Sequence, residues 1–327
     1  GSVKLEGAIA QNLLMDLKPY IDENGLEAQV GANYEQNQVD GKIYTVSIGL
    51  ASIGMWVNTD VLEATGATMP EEWTTWEAFA DAMETVRVNG EAMGYYSYGS
   101  GQGSIRMFNA ALAATPAGAE MLKGPLTADA INSEEFADAF RTVATLDQQN
   151  GSANSSVNAN DFAADFNNGL SAVFINGVWG ASQFAGSDNF VSCIYPNSVA
   201  ISSANTGLYV ANDLSDAQKE LALEFIKYMT SEEVQSRYFL ETSSNPINEN
   251  VDIQKLAQES GDPTALKLAE ACDKCNKADT IVLAIDVCWG NDVGGALQNK
   301  FAECAVAGTD IEAKLAELQA ELTALIG

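Results

Sequence analysis

The sequence predicts a protein of the α/β fold class. Short apolar segments with strand character alternate along the chain with longer segments whose apolar residues recur at helical spacing, which is typical of this class. The length of 327 residues and an apolar content of 46% are enough for about two domains. The chain contains no internal repeat and no low-complexity linker. Two domains would therefore be joined by strands that cross between them.

The strands are predicted from short runs rich in β-branched and aromatic residues, which favour extended structure. Because these runs are separated by helical segments, they indicate an α/β arrangement rather than an all-β one. The predicted strands are KIYTVSI from Lys42, GMWVN from Gly54, GYYSY from Gly94, SAVFIN from Ser171 and GLYVA from Gly207.

The helix starts are predicted from capping boxes, in which Ser or Thr is followed three residues later by Glu or Gln. Such boxes begin at Thr74, Ser215, Thr230 and Thr309. Apolar residues at helical spacing lie close to these boxes, and we expect them to face the core. These residues are Trp76, Phe79 and Met83, then Leu221, Phe225 and Tyr228, then Ile311, Leu315, Leu318 and Leu322.

The charge balance argues against partners that present phosphates. Lys and Arg number 16 against 45 Asp and Glu, which gives a net charge of −29. We therefore expect no binding to nucleic acid or to an anionic membrane surface. The acidic residues are scattered through helical segments, as on a solvated surface. No run approaches the roughly 18 apolar residues of a membrane span, and the opening Gly-Ser, which resembles a cloning remnant, says nothing about location.

The absence of histidine excludes several kinds of catalytic site. Ser-His-Asp and Cys-His catalysis, HExxH zinc chemistry and a histidine general base all require a residue that this chain lacks. No phosphate-binding loop, dinucleotide fingerprint or EF-hand loop is present. The glycine-rich run at 99–104 is predicted to be a flexible turn that could also touch a ligand. Paired carboxylates for glycoside hydrolysis stay open, because their separation is spatial.

The five cysteines indicate neither a disulfide scaffold nor a metal site. Their number is odd and their spacing irregular, so at least one is unpaired. Cys272 and Cys275 form a CxxC pair, but a structural zinc site would need further cysteine pairs or histidines. We predict a helical, structural pair, and we expect no metal and no cofactor.

Four ordered segments resemble the extracellular solute-binding proteins of bacterial sugar ABC importers, the family that includes the maltose-binding protein. The resemblance covers the chain from about Met15 to the end, and the four landmarks together are more specific than any one alone. The segments are DGKIYTVSIGLASIGMWVNTDVLEATGATMPEEWTTWEAFADAM, FNNGLSAVFINGVWG, LALEFIKYMTSEEVQSRYFLETSSNPINENV and CWGNDVGGALQNKFAECAVAGTDIEAKLAELQAEL.

The resemblance implies a periplasmic-binding-protein-like fold of type II, with two lobes joined by crossing strands and a ligand cleft between them. We expect lobe 1 to comprise 1–53 and 200–246, and lobe 2 to comprise 54–199 and 247–327. Family members carry a strand, a helix and a second strand ahead of the segment that matches LMDLKPYI. Their lack here would follow equally from truncation, from disorder or from a short gene product.

The resemblance also implies a carbohydrate site built from tryptophan platforms and planar polar groups. Trp179 matches a position whose indole stacks on a sugar ring, and Trp289 matches a second stacking position. Trp56 lies in the crossing segment and is open between hinge packing and the cleft wall. The remaining candidate ligand contacts, at the polar rim, are Ser52, Gln102, Ser104, Asn291 and Asp292.

The function implied is non-enzymatic binding of a carbohydrate, expected to be an oligosaccharide, and its delivery to an ABC transporter permease. We expect a monomer located outside the cytoplasm, as a periplasmic protein or a cell-surface lipoprotein. Two alternatives stay open. One is a glycoside-active enzyme that uses paired carboxylates, and the other is a sugar sensor or adhesin on the same fold.

Overall fold

The computed structural model describes residues 7–91, 93–96, 102–150, 159–184, 186–204 and 207–327. Within these ranges a mixed sheet of seven strands is surrounded by helices, and a two-stranded hairpin lies apart from it. The predicted α/β class is confirmed.

The strands are β1 (Gln38–Val39), β2 (Lys42–Ile43), β3 (Gly49–Asn58), β4 (Met93–Tyr96), β5 (Ser171–Gly177), β6 (Phe190–Cys193), β7 (Val199–Ala204), β8 (Asn245–Pro246) and β9 (Thr280–Val282). The helices of the described ranges from Lys18 onward are α1 (Lys18–Asn24), α2 (Glu27–Val30), α3 (Asn33–Gln36), α4 (Thr59–Thr65), α5 (Trp76–Asn89), α6 (Gln102–Ala113), α7 (Pro116–Met121), α8 (Ala128–Ile131), α9 (Glu134–Asn150), α10 (Ala159–Asn167), α11 (Ala181–Phe184), α12 (Asp216–Met229), α13 (Glu232–Thr242), α14 (Ile253–Ser260), α15 (Pro263–Asn276), α16 (Ile285–Cys288), α17 (Asn291–Cys304) and α18 (Ile311–Ile326). Short 3-10 turns lie at Pro70–Glu72, Val178–Gly180 and Pro196–Ser198.

Strand β3 connects two groups of strands. Its C-terminal half pairs with β5, where Trp56 lies opposite Phe174, and with β6. Its N-terminal half pairs with β7, where Ser52 lies opposite Ser202, and with β8. The middle residue, Ile53, pairs with both β5 and β7. All these pairings are antiparallel, whereas β4 and β9 add to the edges in parallel. The ten residues of β3 therefore pass from one group of strands to the other.

Buried side chains form three apolar clusters. The largest packs α5, α6, α9, α17 and α18 against the sheet. A second surrounds Trp56 and Phe166 and includes buried residues of α15. The third gathers Leu17, Val46 and Ile226, and its members come only from 15–46 and 208–226. The first two clusters thus share β3, which places Met55 and Val57 in one and Trp56 in the other, whereas the third contains no residue of β3.

The predicted strands are only partly present. GMWVN and SAVFIN lie in β3 and β5, and the described part of GYYSY lies in β4, whereas its residues 97 and 98 lie outside the described ranges. The predictions for KIYTVSI and GLYVA are wrong beyond β2, because these runs meet only at single bridges. Val46 and Leu208 exchange two backbone hydrogen bonds of 3.0 and 2.8 Å, and no ladder continues from them.

In three of the four predicted capping boxes, the observed capping residue lies one position after the predicted one. Ser215 caps α12 as predicted, and its N–H donates to Oε1 of Gln218 at 3.1 Å. The other caps are Thr75, Ser231 and Asp310, whose side-chain oxygens accept from the N–H groups three residues later. In each case a second capping residue follows directly on the predicted one, so the pattern is shifted rather than absent.

The buried faces of two helices are as predicted, and that of α12 is not. Trp76, Phe79 and Met83 of α5 are buried, as are Leu315, Leu318 and Leu322 of α18. In α12, Leu221, Phe225 and Tyr228 are exposed, with 71% of Leu221 accessible. The helix instead turns Leu223 and Ile226 towards the third cluster. The expectation that Leu221, Phe225 and Tyr228 face the core is therefore wrong.

The cysteines behave as structural residues. All five are free, and Cys272 and Cys275 lie buried in α15, which confirms a helical pair. Burial raises the pKa of the Cys275 thiol to about 12, so it stays protonated at neutral pH. Among the described residues, no group of three or more Cys, Asp or Glu side chains is placed to hold a metal ion. None of the helices in those ranges is long and apolar enough to cross a bilayer.

Candidate functional site

A cavity of about 220 Å³ lies where the end of β5 meets β3 and the start of α6. Ile53, at the middle of β3, forms part of its floor beside Gly177, the residue with which it pairs in the sheet. The lining residues are Ile53, Gly103, Arg106, Ile175, Asn176, Gly177 and Trp179. The cavity thus joins apolar walls to a few polar side chains, which is the usual composition of a small-molecule site.

Trp179 provides the cavity with an exposed aromatic surface. β5 ends at Gly177, and the next three residues form the turn Val178–Gly180 that holds the indole. The side chain is 41% exposed, whereas the other four tryptophans of the chain are buried. The sequence prediction of an uncovered indole after this strand is therefore confirmed. Its role in ligand binding stays a prediction at this point.

Gly177 makes room for the Trp179 indole. A Cβ atom built on Gly177 would lie 2.2 Å from both Cη2 and Cζ3 of Trp179, which is far closer than real contacts allow. Any side chain at 177 would therefore push the indole away. The N–H of Gly177 donates to Oδ1 of Asn176 at 2.8 Å, which fixes the amide of a second lining residue.

Trp56 is hydrogen-bonded to the residue at which this turn begins, and it does not line the cavity. Its indole is 1% exposed and donates from Nε1 to the carbonyl oxygen of Gly177 at 2.9 Å. The ring packs against Phe184 at 5.2 Å between centroids, and Gly180 lies so close that a Cβ there would be 2.5 Å from Nε1. This burial corrects the inclusion of Trp56 among ligand contacts, because β3 points its side chain into the second cluster.

Trp289 is likewise a core residue. It is 8% exposed, its Nε1 donates to the carbonyl oxygen of Met121 at 3.2 Å, and its ring stacks on Phe136 with centroids 6.3 Å apart. The turn between α16 and α17 directs the indole inward. The expectation of a second exposed platform at Trp289 is therefore corrected by its burial.

Ser52 is buried in the junction of three strands. Its hydroxyl lies 3.1 Å from the hydroxyl of Ser202 in β7 and accepts from Nδ2 of Asn245 in β8 at 2.8 Å. These bonds satisfy the hydroxyl inside the protein. The structure therefore places Ser52 in the hydrogen-bonded core of the crossing strands and not on a cavity wall, which corrects its inclusion in the polar rim.

The glycine-rich run ends in a helix. Gln102 and Ser104 lie in the first turn of α6, so the predicted flexible turn is wrong for these residues, and 99–101 lie outside the described ranges. Gly103 lines the cavity, whereas the side chain of Ser104 is buried. The structure describes only the backbone of Gln102, which leaves it a candidate by position alone.

Asn291 and Asp292 open α17 and are exposed. Neither lines the cavity beside Trp179. They precede the helical turn in which Gly294 packs against Asp286, since a Cβ on Gly294 would lie 3.7 Å from Cβ of Asp286. The structure thus places Asn291 and Asp292 on the surface outside the cavity.

Arg106 lines the cavity and is paired with Asp286, which is not itself a lining residue, and neither was predicted from the sequence as a site residue. Nη1 of Arg106 donates to Oδ1 of Asp286 in a short ion pair that joins α6 to α16. Burial would raise the pKa of Asp286, but the hydrogen bond and charge of Arg106 outweigh it and hold that pKa below its ordinary value. Asp286 is therefore ionised at neutral pH.

A sequence signal for this pair exists. Each residue is the single charge in an apolar run, SIRMFNAALA for Arg106 and IVLAIDVCWG for Asp286. A lone charge inside an apolar run tends to have a partner, because an unpaired charge is costly to bury. The separation of 180 residues explains why spacing alone could not join the two.

The site combines an aromatic face with planar hydrogen-bonding groups. The indole offers a flat apolar surface, the guanidinium and amide offer donors in fixed planes, and the carboxylate offers acceptors. Such an arrangement suits a ligand with an apolar face and a polar rim.

Comparisons with known proteins identify the family of the chain. A family model described as bacterial extracellular solute-binding protein matches residues 3–264. A solved Streptococcus pneumoniae solute-binding protein in complex with the blood group A-trisaccharide is 42% identical, with a TM-score of 0.90 over 97% of this chain and 81% of that one. No curated protein sequence matches the chain.

Two more distant structures share the fold. The sugar-binding protein MalE from the phytopathogen Xanthomonas citri is 16% identical, with a TM-score of 0.77 over 97% of this chain and 80% of that one. The raffinose complex of the solute-binding protein RafE is 15% identical, with a TM-score of 0.72 over 99% of this chain and 83% of that one. Because the family model covers most of the residues, the chain belongs to the bacterial extracellular solute-binding proteins, an extracytoplasmic family.

Proposed function

We propose that this protein binds a carbohydrate, without transforming it, in the cavity beside Trp179. The observation that carries the proposal is the exposed indole at the edge of a 220 Å³ cavity that also contains Arg106 and Asn176. A sugar ring presents C–H groups on its faces and hydroxyls at its rim, so it can stack on the indole while the planar polar groups pair with its hydroxyls.

An oligosaccharide is the ligand class that the relatives support. The Streptococcus pneumoniae relative, at 42% identity, was solved with a trisaccharide, and the more distant RafE was solved with raffinose. In this chain the exposed Trp179 provides the stacking surface, and the buried Trp56 supports it through its hydrogen bond to Gly177. Asn291 and Asp292 are exposed outside the cavity, so a contact with the ligand would require a ligand that extends beyond the cavity.

The mechanism we propose is closure of two lobes around the ligand. Lobe 1 would comprise 1–53 and 200–246, and lobe 2 would comprise 54–199 and 247–327. The third apolar cluster, drawn only from 15–46 and 208–226, supports a separate core for lobe 1, and β3 supplies a crossing strand. A ligand that contacts both lobes only when they are closed shifts the population towards closure.

The closed monomer would then deliver its ligand to the membrane permease of an ABC importer. The family assignment supports this role, because solute-binding proteins of this kind present ligands outside the cytoplasm.

Isothermal titration calorimetry tests the proposal. The panel contains the blood group A-trisaccharide, raffinose, maltotriose, chitotriose and xylotriose, with free glycine and phosphate as ligands of other classes. We expect saturable heat with at least one saccharide and the same saccharide concentration after overnight incubation. Binding of a non-saccharide alone would overturn the carbohydrate assignment, and loss of intact saccharide would indicate an enzyme.

A further inference from the structure

The positive charge of Arg106, which lines the cavity, is neutralised by Asp286. Arg106 lines the cavity with its side chain 23% exposed, and Asp286, which pairs with it, is 40% exposed. Both groups are partly shielded from water, so each acts on the other and on a ligand more strongly than an exposed charge would. A ligand in the cavity therefore meets a guanidinium whose positive charge is already compensated by Asp286.

An unpaired guanidinium at this place would favour an acidic ligand. Arginine presents a planar fork of donors that matches a carboxylate in two parallel hydrogen bonds. Because Arg106 is paired with Asp286, a carboxylate on the ligand would meet a guanidinium whose charge is compensated, and the negative charge of Asp286 would repel it. The net charge of −29 on the whole chain adds to this repulsion.

We propose that Asp286 is a specificity-determining residue, which by neutralising Arg106 selects uncharged saccharides and rejects those that carry a carboxylate. This inference rests on the carbohydrate-binding function proposed above. It does not require Asp286 to touch the ligand, because its effect passes through the guanidinium.

The ion pair still leaves hydrogen-bonding capacity for a neutral ligand. The bond from Arg106 to Asp286 uses one N–H group of Nη1, and the guanidinium carries further N–H groups on Nη1, Nε and Nη2. A sugar hydroxyl can accept from these groups. Such a ligand brings no charge and so keeps the pair intact.

The first test compares matched ligands by calorimetry. The probes are the blood group A-trisaccharide and the same trisaccharide with one hydroxymethyl group oxidised to a carboxylate. We expect the wild type to bind the acidic form at least about tenfold more weakly, and Asp286→Asn to reduce this ratio to about threefold or less. Asp286→Glu, which keeps the charge, should retain the discrimination.

Asp81→Asn is the matched control for loss of one negative charge. Asp81 is exposed on α5 and does not line the cavity, so this variant should discriminate as the wild type does. Equal affinity of the wild type for the two trisaccharides, or unchanged discrimination in Asp286→Asn, would overturn the inference while leaving carbohydrate binding intact.

A second measurement needs no saccharide and so separates this inference from the proposed function. Trp179 is the exposed tryptophan, and its fluorescence can be quenched by the anion iodide or by neutral acrylamide. Removal of the Asp286 charge should raise the ratio of iodide to acrylamide quenching by about twofold, because the freed Arg106 attracts the anion. No rise in Asp286→Asn, or an equal rise in Asp81→Asn, would refute the neutralisation even if neither trisaccharide binds.

Discussion

The indole of Trp179 occupies the space beside Gly177 that a side chain at that position would need. A Cβ on Gly177 would lie 2.2 Å from two ring carbons of the indole. The backbone φ of Gly177 is −80°, which any residue can adopt, so the glycine is required by this close approach and not by the backbone. The observed orientation of the Trp179 indole therefore requires that residue 177 has no Cβ atom.

Gly177→Ala should displace Trp179 and weaken saccharide binding. We expect a loss of about tenfold or more in affinity, because a stacking residue must be held in place to contribute fully. Calorimetry measures the loss, and acrylamide quenching reports the changed exposure of the indole.

Gly124→Ala is the matched control for this glycine substitution. No atom lies within 4 Å of a Cβ built there, so affinity and quenching should stay those of the wild type. Unchanged affinity in Gly177→Ala would show that the observed orientation of Trp179 is not the one that binds.

The opposite environments of Leu221 and Leu223 in α12 predict opposite costs for the same substitution. Leu223 is buried in the third cluster, so Leu223→Ala should lower the free energy of unfolding by about 2 to 4 kcal/mol. Leu221 is exposed, so Leu221→Ala should cost less than about 0.5 kcal/mol. Urea denaturation of both variants measures the difference. A large loss of stability in Leu221→Ala would mean that Leu221 is buried in solution.

In α12 the sequence predicted the position of the helix correctly but not which of its faces is buried. The capping box at Ser215 placed α12 correctly, but apolar residues occur all around it, at Leu221 and Phe225 as well as at Leu223 and Ile226. Local spacing cannot say which stripe faces a neighbour when both are apolar. That choice depends on the distant residues of the third cluster.

The ion pair of Arg106 and Asp286 should make stability depend on pH in a defined direction. Burial opposes the charge of Asp286, but Arg106 outweighs it and holds the pKa below its ordinary value of about 3.9. A folded-state pKa below the unfolded one stabilises the fold above about pH 4, and this contribution is lost as the pH falls through the folded-state value.

Thermal melts of the wild type and Asp286→Asn over a pH series measure this contribution. The difference in melting temperature should be greatest near pH 7 and should shrink as the pH is lowered below about 4. A difference that is constant over the series would show that the carboxylate gains nothing from its partner.

Only those features of the site that have a local sequence pattern could be predicted. Trp179 follows a strand end and a glycine, and this pattern alone indicated an exposed indole. Trp289 has a similar glycine beside it, yet its indole is covered by Phe136, which lies about 150 residues away and leaves no trace in the local sequence. Arg106 and Asp286 were missed for the same reason, since their pairing joins two distant helices.

We propose that a saccharide ring stacks on Trp179. Calorimetric titration of Trp179→Ala, with the saccharide that binds the wild type most tightly, tests it most directly. We expect affinity to fall by about tenfold to a hundredfold while the melting temperature stays within a few degrees of the wild type, because the indole is 41% exposed. Undiminished affinity in a folded variant, or unfolding of the variant, would contradict it.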